Sequence, residues 1–119
     1  MVVVNYEKNR LALFLGGSVA DYPTSVFIGI GSSTAAVTDT TLVSGADAQL
    51  FTATSYPSLQ KVKWQADWNS VEISGTQLTE FGIGSGLTAT GSIWSITSIP
   101  SLTFDGTNEL RVEETHEIY

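Results

Sequence analysis

The chain of 119 residues contains no cysteine, a single histidine and only 14% charged residues. Without cysteine, neither a disulfide nor a thiolate metal site can hold the fold together. The lone imidazole, His116, argues against a histidine-rich metal centre and against a histidine-based catalytic triad. We therefore expect no metal, no cofactor and no catalytic residues, and a protein that is not an enzyme.

Basic residues are also scarce, because five lysines and arginines against twelve aspartates and glutamates give a formal charge of −7. Such a chain repels phosphate backbones, which predicts no binding to nucleic acid. No apolar run reaches the ~18 residues of a membrane helix. The leading "MVVV" is too short for a secretory signal and lacks its basic segment. We expect a soluble, unprocessed protein that does not insert into membranes.

Acidic residues crowd the C-terminal end of the sequence. The residues in question are Asp105, Glu109, Glu113, Glu114 and Glu117. A crowd of like charges usually lies on a solvated surface, and we predict a solvated acidic face here.

The abundant residues indicate β-structure. About a quarter of the chain is serine or threonine, mostly interleaved with valine, isoleucine, phenylalanine and tryptophan, a pattern typical of half-buried strands. The length predicts a single domain, residues 1–119. About seven strands separated by turns predict an antiparallel, jelly-roll-like β-sandwich.

One short helix is predicted at the front, over about residues 5–16, in "NYEKNRLALFLGG". Asn5 can act as the N-cap, Glu7 lies in the first turn, and two glycines end the helix. Its apolar stripe would consist of Leu11, Phe14 and Leu15.

The strands are predicted from runs of strand length and from alternation. The candidates are "TSVFIGIG", "AQLFTATSYP" closed by Pro57, residues 59–68, "TQLTEFGIG", "SIWSITSI" ending at Pro100, and the alternating "NELRVEETHEIY". "SSTAAVTDTTL" is predicted to be a loop, "GSGLTATG" a hairpin-like link, and "DGT" at 105–107 a tight turn.

The stretch "KVKWQADW" alternates strictly and places Trp64 and Trp68 on one face of its strand. If these indoles faced solvent, the charged residues between them would face the core without visible partners, at a cost of several kcal/mol per ion. Burying the indoles is favourable instead. The sequence therefore predicts that both tryptophans point inward between two layers.

Two other patterns suggest chemistry but have simpler explanations. "GIGSSTAA" at 29–36 resembles a phosphate loop, yet it lacks the lysine and the third glycine that such loops need, so we interpret it as a structural turn. Glu80 and Glu114, the latter on one strand face with His116, are candidates for acid/base chemistry. Nothing in the sequence brings them together. We favour Glu80 as a residue that accepts backbone N–H groups or caps a turn, and His116 at a strand edge.

The apolar N-terminus needs a docking place, because chain ends fray unless they are held. "MVVV" could add a strand to its own sheet or lie on the sheet edge of a neighbour. Trp94 lies in a strand with apolar residues on both faces, one of which could meet a partner. The predicted interface residues are therefore Met1, Val2, Val3, Val4 and Trp94.

Four segments together carry a resemblance: "FIGIGSSTAAVTDTTL", "VKWQADW", "LTEFGIG" and the closing "ELRVEETHEIY". This order resembles a diffuse group of small structural proteins of tailed bacteriophages and related archaeal viruses. Members tend to read Gly-x-Gly-Thr/Ser, Asp-Thr-x-Leu, an alternating strand, Thr-x-Glu-x-Gly and a last alternating strand. The resemblance implies a virion component without catalysis, such as a head decoration protein or a fibre or tail accessory.

We therefore expect a capsid decoration or cement protein on the particle surface, made in the host cytoplasm. Its partners would be copies of itself, with a trimer favoured by closed symmetry, and the major capsid protein or other virion proteins. The alternative is a tail or head fibre accessory protein that binds a host-surface glycan, in which Trp94 would stack on sugars. A glycosidase that uses Glu80 and Glu114 is a further alternative.

Overall fold

The computed structural model describes residues 1–17, 22–31, 36–42, 44–58, 60–86 and 91–117. These residues form one helix and eight strands. In chain order they are β1 (Val2–Val3), α1 (Asn5–Leu15), β2 (Ser25–Gly29), β3 (Gly45–Leu50), β4 (Ala53–Ser55), β5 (Lys61–Trp68), β6 (Gln77–Ser85), β7 (Ser92–Thr103) and β8 (Leu110–Glu117).

The strands form two antiparallel sheets. The larger has the order β1-β7-β6-β2-β3 and the smaller the order β4-β5-β8. The prediction of a mainly β, two-layer antiparallel fold with one short N-terminal helix is confirmed. The predicted "GSGLTATG" link and "GIGSSTAA" turn fall partly on residues 87–90 and 32–35, which lie outside the described residues.

The core has two parts, one on each face of the larger sheet. Side chains from both sheets meet between the layers, including Ile83, Trp68 and Val112. The opposite face of the larger sheet is covered by a second cluster, which contains Phe27 and Val4. Strand β2 is consequently buried at every residue, as its continuous apolar run predicts.

The helix begins and ends close to where its sequence predicts. The Gly16 N–H donates to the Ala12 carbonyl at 3.1 Å, and Gly17 has a φ of 77°, a left-handed conformation that ends helices and suits glycine.

The apolar stripe predicted for α1 does not face the core. Glu7, Leu11 and Leu15 follow one another at i, i+4 and i+8 on one side of the helix. Their exposed fractions rise along the helix, from 5% to 38% to 82%. The side chain of Phe14 lies outside the described part of the structure. The helix therefore packs on the body at its N-terminal end and leaves it at its C-terminal end.

The predicted strand over 48–57 is in fact divided between the two sheets. The Phe51 N–H donates to the Thr24 carbonyl beside the larger sheet, at 3.1 Å, and the Thr52 N–H donates to Gln65 of the smaller sheet, at 2.8 Å. The chain thus changes sheets at residues 51–52. No glycine or proline marks this corner, so the sequence pattern runs through it without a break.

Strand β7 does not end at Pro100, as predicted, but continues to Thr103. Leu78 of β6 pairs with Leu102 and Glu80 pairs with Ser98, so residues 99–101 bulge opposite Thr79. A proline has no N–H to give to the ladder, and a bulge does not require one. The bulge therefore accommodates Pro100 inside the strand.

A second bulge in β7 positions the buried polar site described below. Ile83 pairs with Ser95 and Gly84 with Ile93, which leaves Trp94 as the extra residue. A bulge interrupts the alternation of side chains, so two successive residues can face the same side. Trp94 packs in the cluster between the sheets, and Ser95 reaches a residue of the smaller sheet.

Candidate functional site

The predicted interface residues lie mainly within the chain's own fold. Val2 and Val3 pair with β7, opposite Ile96 and Ser95, and the Val4 N–H donates to the Trp94 carbonyl at 3.0 Å. Val4 is fully buried, whereas Met1 remains 59% exposed. The N-terminus thus pairs with its own sheet, which was one of the two predicted alternatives.

Trp94 is buried as well, with 3% of its surface exposed. Its indole N–H donates to the Ser85 hydroxyl at 2.8 Å, and its ring meets Tyr6 edge-on at 5.6 Å between centroids. An indole in this position has no face to offer a sugar or a partner subunit. The surfaces proposed below therefore do not include it.

A buried polar network, formed by Glu7, Ser95, Glu114 and His116, joins three parts of the fold. His116 Nδ1 lies 2.7 Å from Glu7 Oε1 of the helix, and His116 Nε2 lies 2.6 Å from Glu114 Oε2. The Ser95 hydroxyl of the larger sheet donates to the same Glu114 oxygen at 2.5 Å. All four residues are at most 8% exposed. The network thus links the helix, the larger sheet and the smaller sheet.

The network holds His116 in its charged form. Burial by itself lowers the pKa of His116, but the hydrogen bonds to Glu114 and Glu7, together with their negative charges, outweigh it and raise the pKa to about 9. At neutral pH both ring nitrogens therefore donate, one to each carboxylate. The other oxygens, Glu7 Oε2 and Glu114 Oε1, are buried without a hydrogen-bond partner among the described residues.

This geometry suits a network that holds the helix and the two sheets together better than it suits a catalytic centre. A nucleophilic serine needs contact with an imidazole base, whereas Ser95 donates to Glu114 instead. The predicted solvated position of Glu114 is wrong, because its side chain is buried. His116 lies on β8, which is an edge strand of the smaller sheet, as predicted, but its side chain is also buried. The remaining acidic residues of that segment, such as Glu113 and Glu117, are exposed as predicted.

Glu80 lies in a separate environment from Glu114. Glu80 is 2% exposed, and its Oε1 accepts the Ser44 backbone N–H at 3.3 Å. Its side chain fills the space beside Gly29, where an added Cβ would come within 2.6 Å of Glu80 Oε1. Glu80 thus accepts a backbone N–H group, as predicted, and the structure shows no contact between Glu80 and the network.

The two tryptophans of β5 differ in their surroundings. Trp68 is 1% exposed, and its indole N–H donates to Asp47 Oδ2 of β3 at 2.9 Å, so the inward prediction is confirmed for this residue. Trp64 is only half-buried. Its ring stacks on Phe51 at 5.7 Å and meets the His116 ring edge-on at 4.8 Å. The remaining surface of Trp64 lines a cleft.

This cleft, which we call the aromatic cleft, is lined by Phe51 at the corner where the chain passes from the larger to the smaller sheet. It has a volume of about 920 Å³. Its aromatic and apolar lining consists of Tyr22, Pro23, Leu50, Phe51, Tyr56, Val62 and Trp64. Polar groups also line it, among them Thr54, Ser58, Gln60 and Lys61. Apolar clefts with a few polar groups are the usual form of small-molecule sites.

Two of the cleft aromatics are strongly exposed. Tyr22 is 70% and Tyr56 is 77% exposed. Both precede a proline, in "DYP" and "SYP". The repeated Tyr-Pro dipeptide is the sequence pattern that these two residues share. Proline favours an extended backbone in the residue before it, so the pattern predicts that both tyrosines lie in extended segments. Glu7 could not have been assigned to the network from the sequence, since it lies far from His116 along the chain.

Among the described residues, no group of three or more His, Cys, Asp or Glu side chains could hold a metal ion. In the same part of the chain, no helix is both long and apolar enough to span a bilayer. Comparison with known proteins adds no relative, since no family model, no curated protein and no solved structure matches the chain.

Proposed function

We propose that the chain is a non-enzymatic structural subunit of a viral particle, a capsid decoration or cement protein that forms homo-oligomers and docks on the particle surface. The resemblance of its four segments to small virion proteins supports the class. The docking partner would be the major capsid protein or another virion protein, and the trimer is the oligomer we favour.

The observation that carries this proposal is the protruding end of helix α1. Leu11, Leu13 and Leu15 are 38%, 43% and 82% exposed. Covering leucine side chains removes apolar area from water, at roughly 25 cal/mol per Å². Leu11 and Leu15 share one side of the helix, and Leu13 lies on another side, so the end of α1 exposes apolar side chains around the helix. Such an end, on a helix that leaves the body, is a surface that gains from a partner. We assign it to contact with a second copy of the chain.

The buried network supports the same role because it makes the helix part of a rigid unit. Glu7 joins α1 to β8 through His116, and Glu114 joins β8 to Ser95 of β7. A helix that is fixed in this way presents its protruding end in one orientation. Symmetric assembly requires such a fixed surface on every copy.

Solution mass tests this proposal, with two substitutions that are matched for exposure. Leu15 and Val71 are both 82% exposed, but Val71 lies in the turn between β5 and β6. We expect the wild-type chain and Val71→Glu to have the mass of two or more copies of the 12.7 kDa chain, with three copies favoured. Leu15→Glu should reduce the mass to that of the monomer, because it places a charge in the contact. A monomeric wild type, or a Leu15→Glu variant that assembles like the wild type, would contradict the proposal.

The aromatic cleft favours a second candidate function, a fibre or tail accessory role in which the virion protein binds a glycan on the host surface. Its two exposed tyrosines, Tyr22 and Tyr56, are the specific observation behind it. This role is compatible with oligomerisation, since the two functions use different residues.

A further inference from the structure

We propose that the aromatic cleft binds a neutral oligosaccharide, with sugar rings stacked on Tyr22, Tyr56 and Trp64. This inference gives the glycan-binding alternative a defined site. It does not depend on the leucines of α1, so it can fail or succeed independently of the oligomer.

The aromatic surfaces have the features that sugars require. One face of a pyranose ring presents polarised C–H groups, which pack against the electron-rich face of an aromatic ring. Tyr22 and Tyr56 leave most of their surfaces in solvent, at 70% and 77% exposure. Tyrosine also carries a hydroxyl group that can hydrogen-bond at the rim of the sugar. A sugar has both the apolar face and the hydroxyl groups that match these residues.

Trp64 supplies a platform whose orientation is already fixed. Its indole stacks on Phe51 at an interplanar angle of 20° and lies edge-on to His116 at 86°. His116 is itself held by the buried carboxylates of Glu7 and Glu114. A ring that is fixed before binding loses little conformational freedom when the ligand arrives.

The polar groups of the cleft indicate a neutral ligand. Thr54 and Gln60 line the cleft with a hydroxyl and an amide group, which both donate and accept hydrogen bonds. Lys61 is the single charged residue of the described lining. A cationic peptide would require carboxylates there, and a polyanion would require several basic residues. Hydroxyl groups of a sugar are satisfied by the groups that are present.

The backbone at the rim of the cleft is unusual. Gln60 has a φ of 70°, the left-handed region, which residues other than glycine seldom adopt. Such conformations are strained and occur preferentially at active and ligand-binding sites. Here the conformation lies next to Lys61, at the start of β5, where the side chains of both residues line the cleft.

An array of neutral and acidic oligosaccharides, including bacterial surface glycans, provides the first test. We expect binding to a neutral oligosaccharide. The affinity is then measured by the fluorescence of Trp64, which is the only half-buried indole, since Trp68 and Trp94 are 1% and 3% exposed. Tyr56→Ala should weaken binding by roughly tenfold, because it removes an exposed aromatic face on which a sugar ring would stack.

Two leucines with similar exposure give a matched control. Leu50 is 55% exposed and lines the cleft, whereas Leu102 is 50% exposed and belongs to the distal part of β7. Leu50→Ala should weaken binding and Leu102→Ala should leave it unchanged, with the same thermal midpoint in both variants. The proposal is overturned if no oligosaccharide binds, or if Tyr56→Ala binds as tightly as the wild type. It is also overturned if Tyr56→Ala changes the mass of the assembly, because a second copy of the chain would then be the occupant of the cleft.

Discussion

At the scale of single residues, the most unusual feature is the buried imidazole of His116 between the carboxylates of Glu7 and Glu114. Alternation in β8 places Glu114 and His116 on one face of the strand, and this was predicted from the sequence. The burial of Glu114 was not, because the crowd of acidic residues predicted a solvated face. The helix residue Glu7 and the strand residue Ser95 could not be predicted, because their contacts depend on how the helix docks and on the β7 bulge. A bulge has no fixed sequence pattern.

The network makes stability depend on pH. The groups that face His116 are Glu7 from the helix and Glu114 from its own strand. Because the folded pKa of about 9 lies above the ordinary value of 6.5, the folded chain binds the proton more tightly than the unfolded chain. The stabilisation is complete below the unfolded pKa and is lost as the pH rises through the folded pKa. We expect the urea-measured free energy of unfolding to fall by on the order of 3 kcal/mol from about pH 6 to about pH 9.5.

Proton NMR isolates the group responsible, because His116 is the only histidine in the chain. Its ring protons should titrate with a midpoint near 9. Glu114→Gln removes one negative charge and weakens one hydrogen bond, so it should lower that midpoint. A wild-type midpoint at the ordinary histidine value would show that the buried network does not hold the imidazole in its charged form.

At the scale of elements, the segments with strong local signals were predicted and the segments shaped by tertiary contacts were not. Glu7 in the first turn and the glycines after the last turn mark α1, and strict alternation marks β5 and β8. The change of sheet at Phe51–Thr52 depends on hydrogen bonds to two different sheets, and no local residue indicates it. The apolar stripe of α1 was placed on one face of the helix by its spacing, but spacing does not show whether the rest of the fold covers that face.

Strand β1 is the shortest element, yet the residue that follows it is fully buried. Val4 packs in the cluster that covers the outer face of the larger sheet. We expect Val4→Ala to lower the free energy of unfolding by about 2 kcal/mol, because it removes buried methyl groups and leaves a cavity. Val37→Ala is the control, since Val37 is 46% exposed, and it should change stability by less than about 0.5 kcal/mol. Equal effects of the two substitutions in urea unfolding would mean that the N-terminus is not docked.

At the scale of the whole molecule, the two sheets and the helix form a body of 46 × 28 × 23 Å. The body carries two distinct surfaces, the protruding leucines of α1 and the aromatic cleft. The scarcity of charge and the alternating strands were enough to predict a two-sheet fold from the sequence. They were not enough to predict either surface, because each one combines residues that are brought together only by folding. We propose that the first surface serves assembly and that the second binds a ligand.

The central claim is that this chain is a subunit of a viral particle, and co-sedimentation tests it most directly. If the proposal holds, the chain comes from a viral genome, and the purified chain is mixed with particles of that virus and centrifuged through a cushion, with Leu15→Glu and Val71→Glu in parallel. We predict that the wild type and Val71→Glu pellet with the particles at a saturable ratio, and that Leu15→Glu stays in the supernatant. A wild-type chain that remains a monomer of 12.7 kDa and is absent from the pellet would contradict the account.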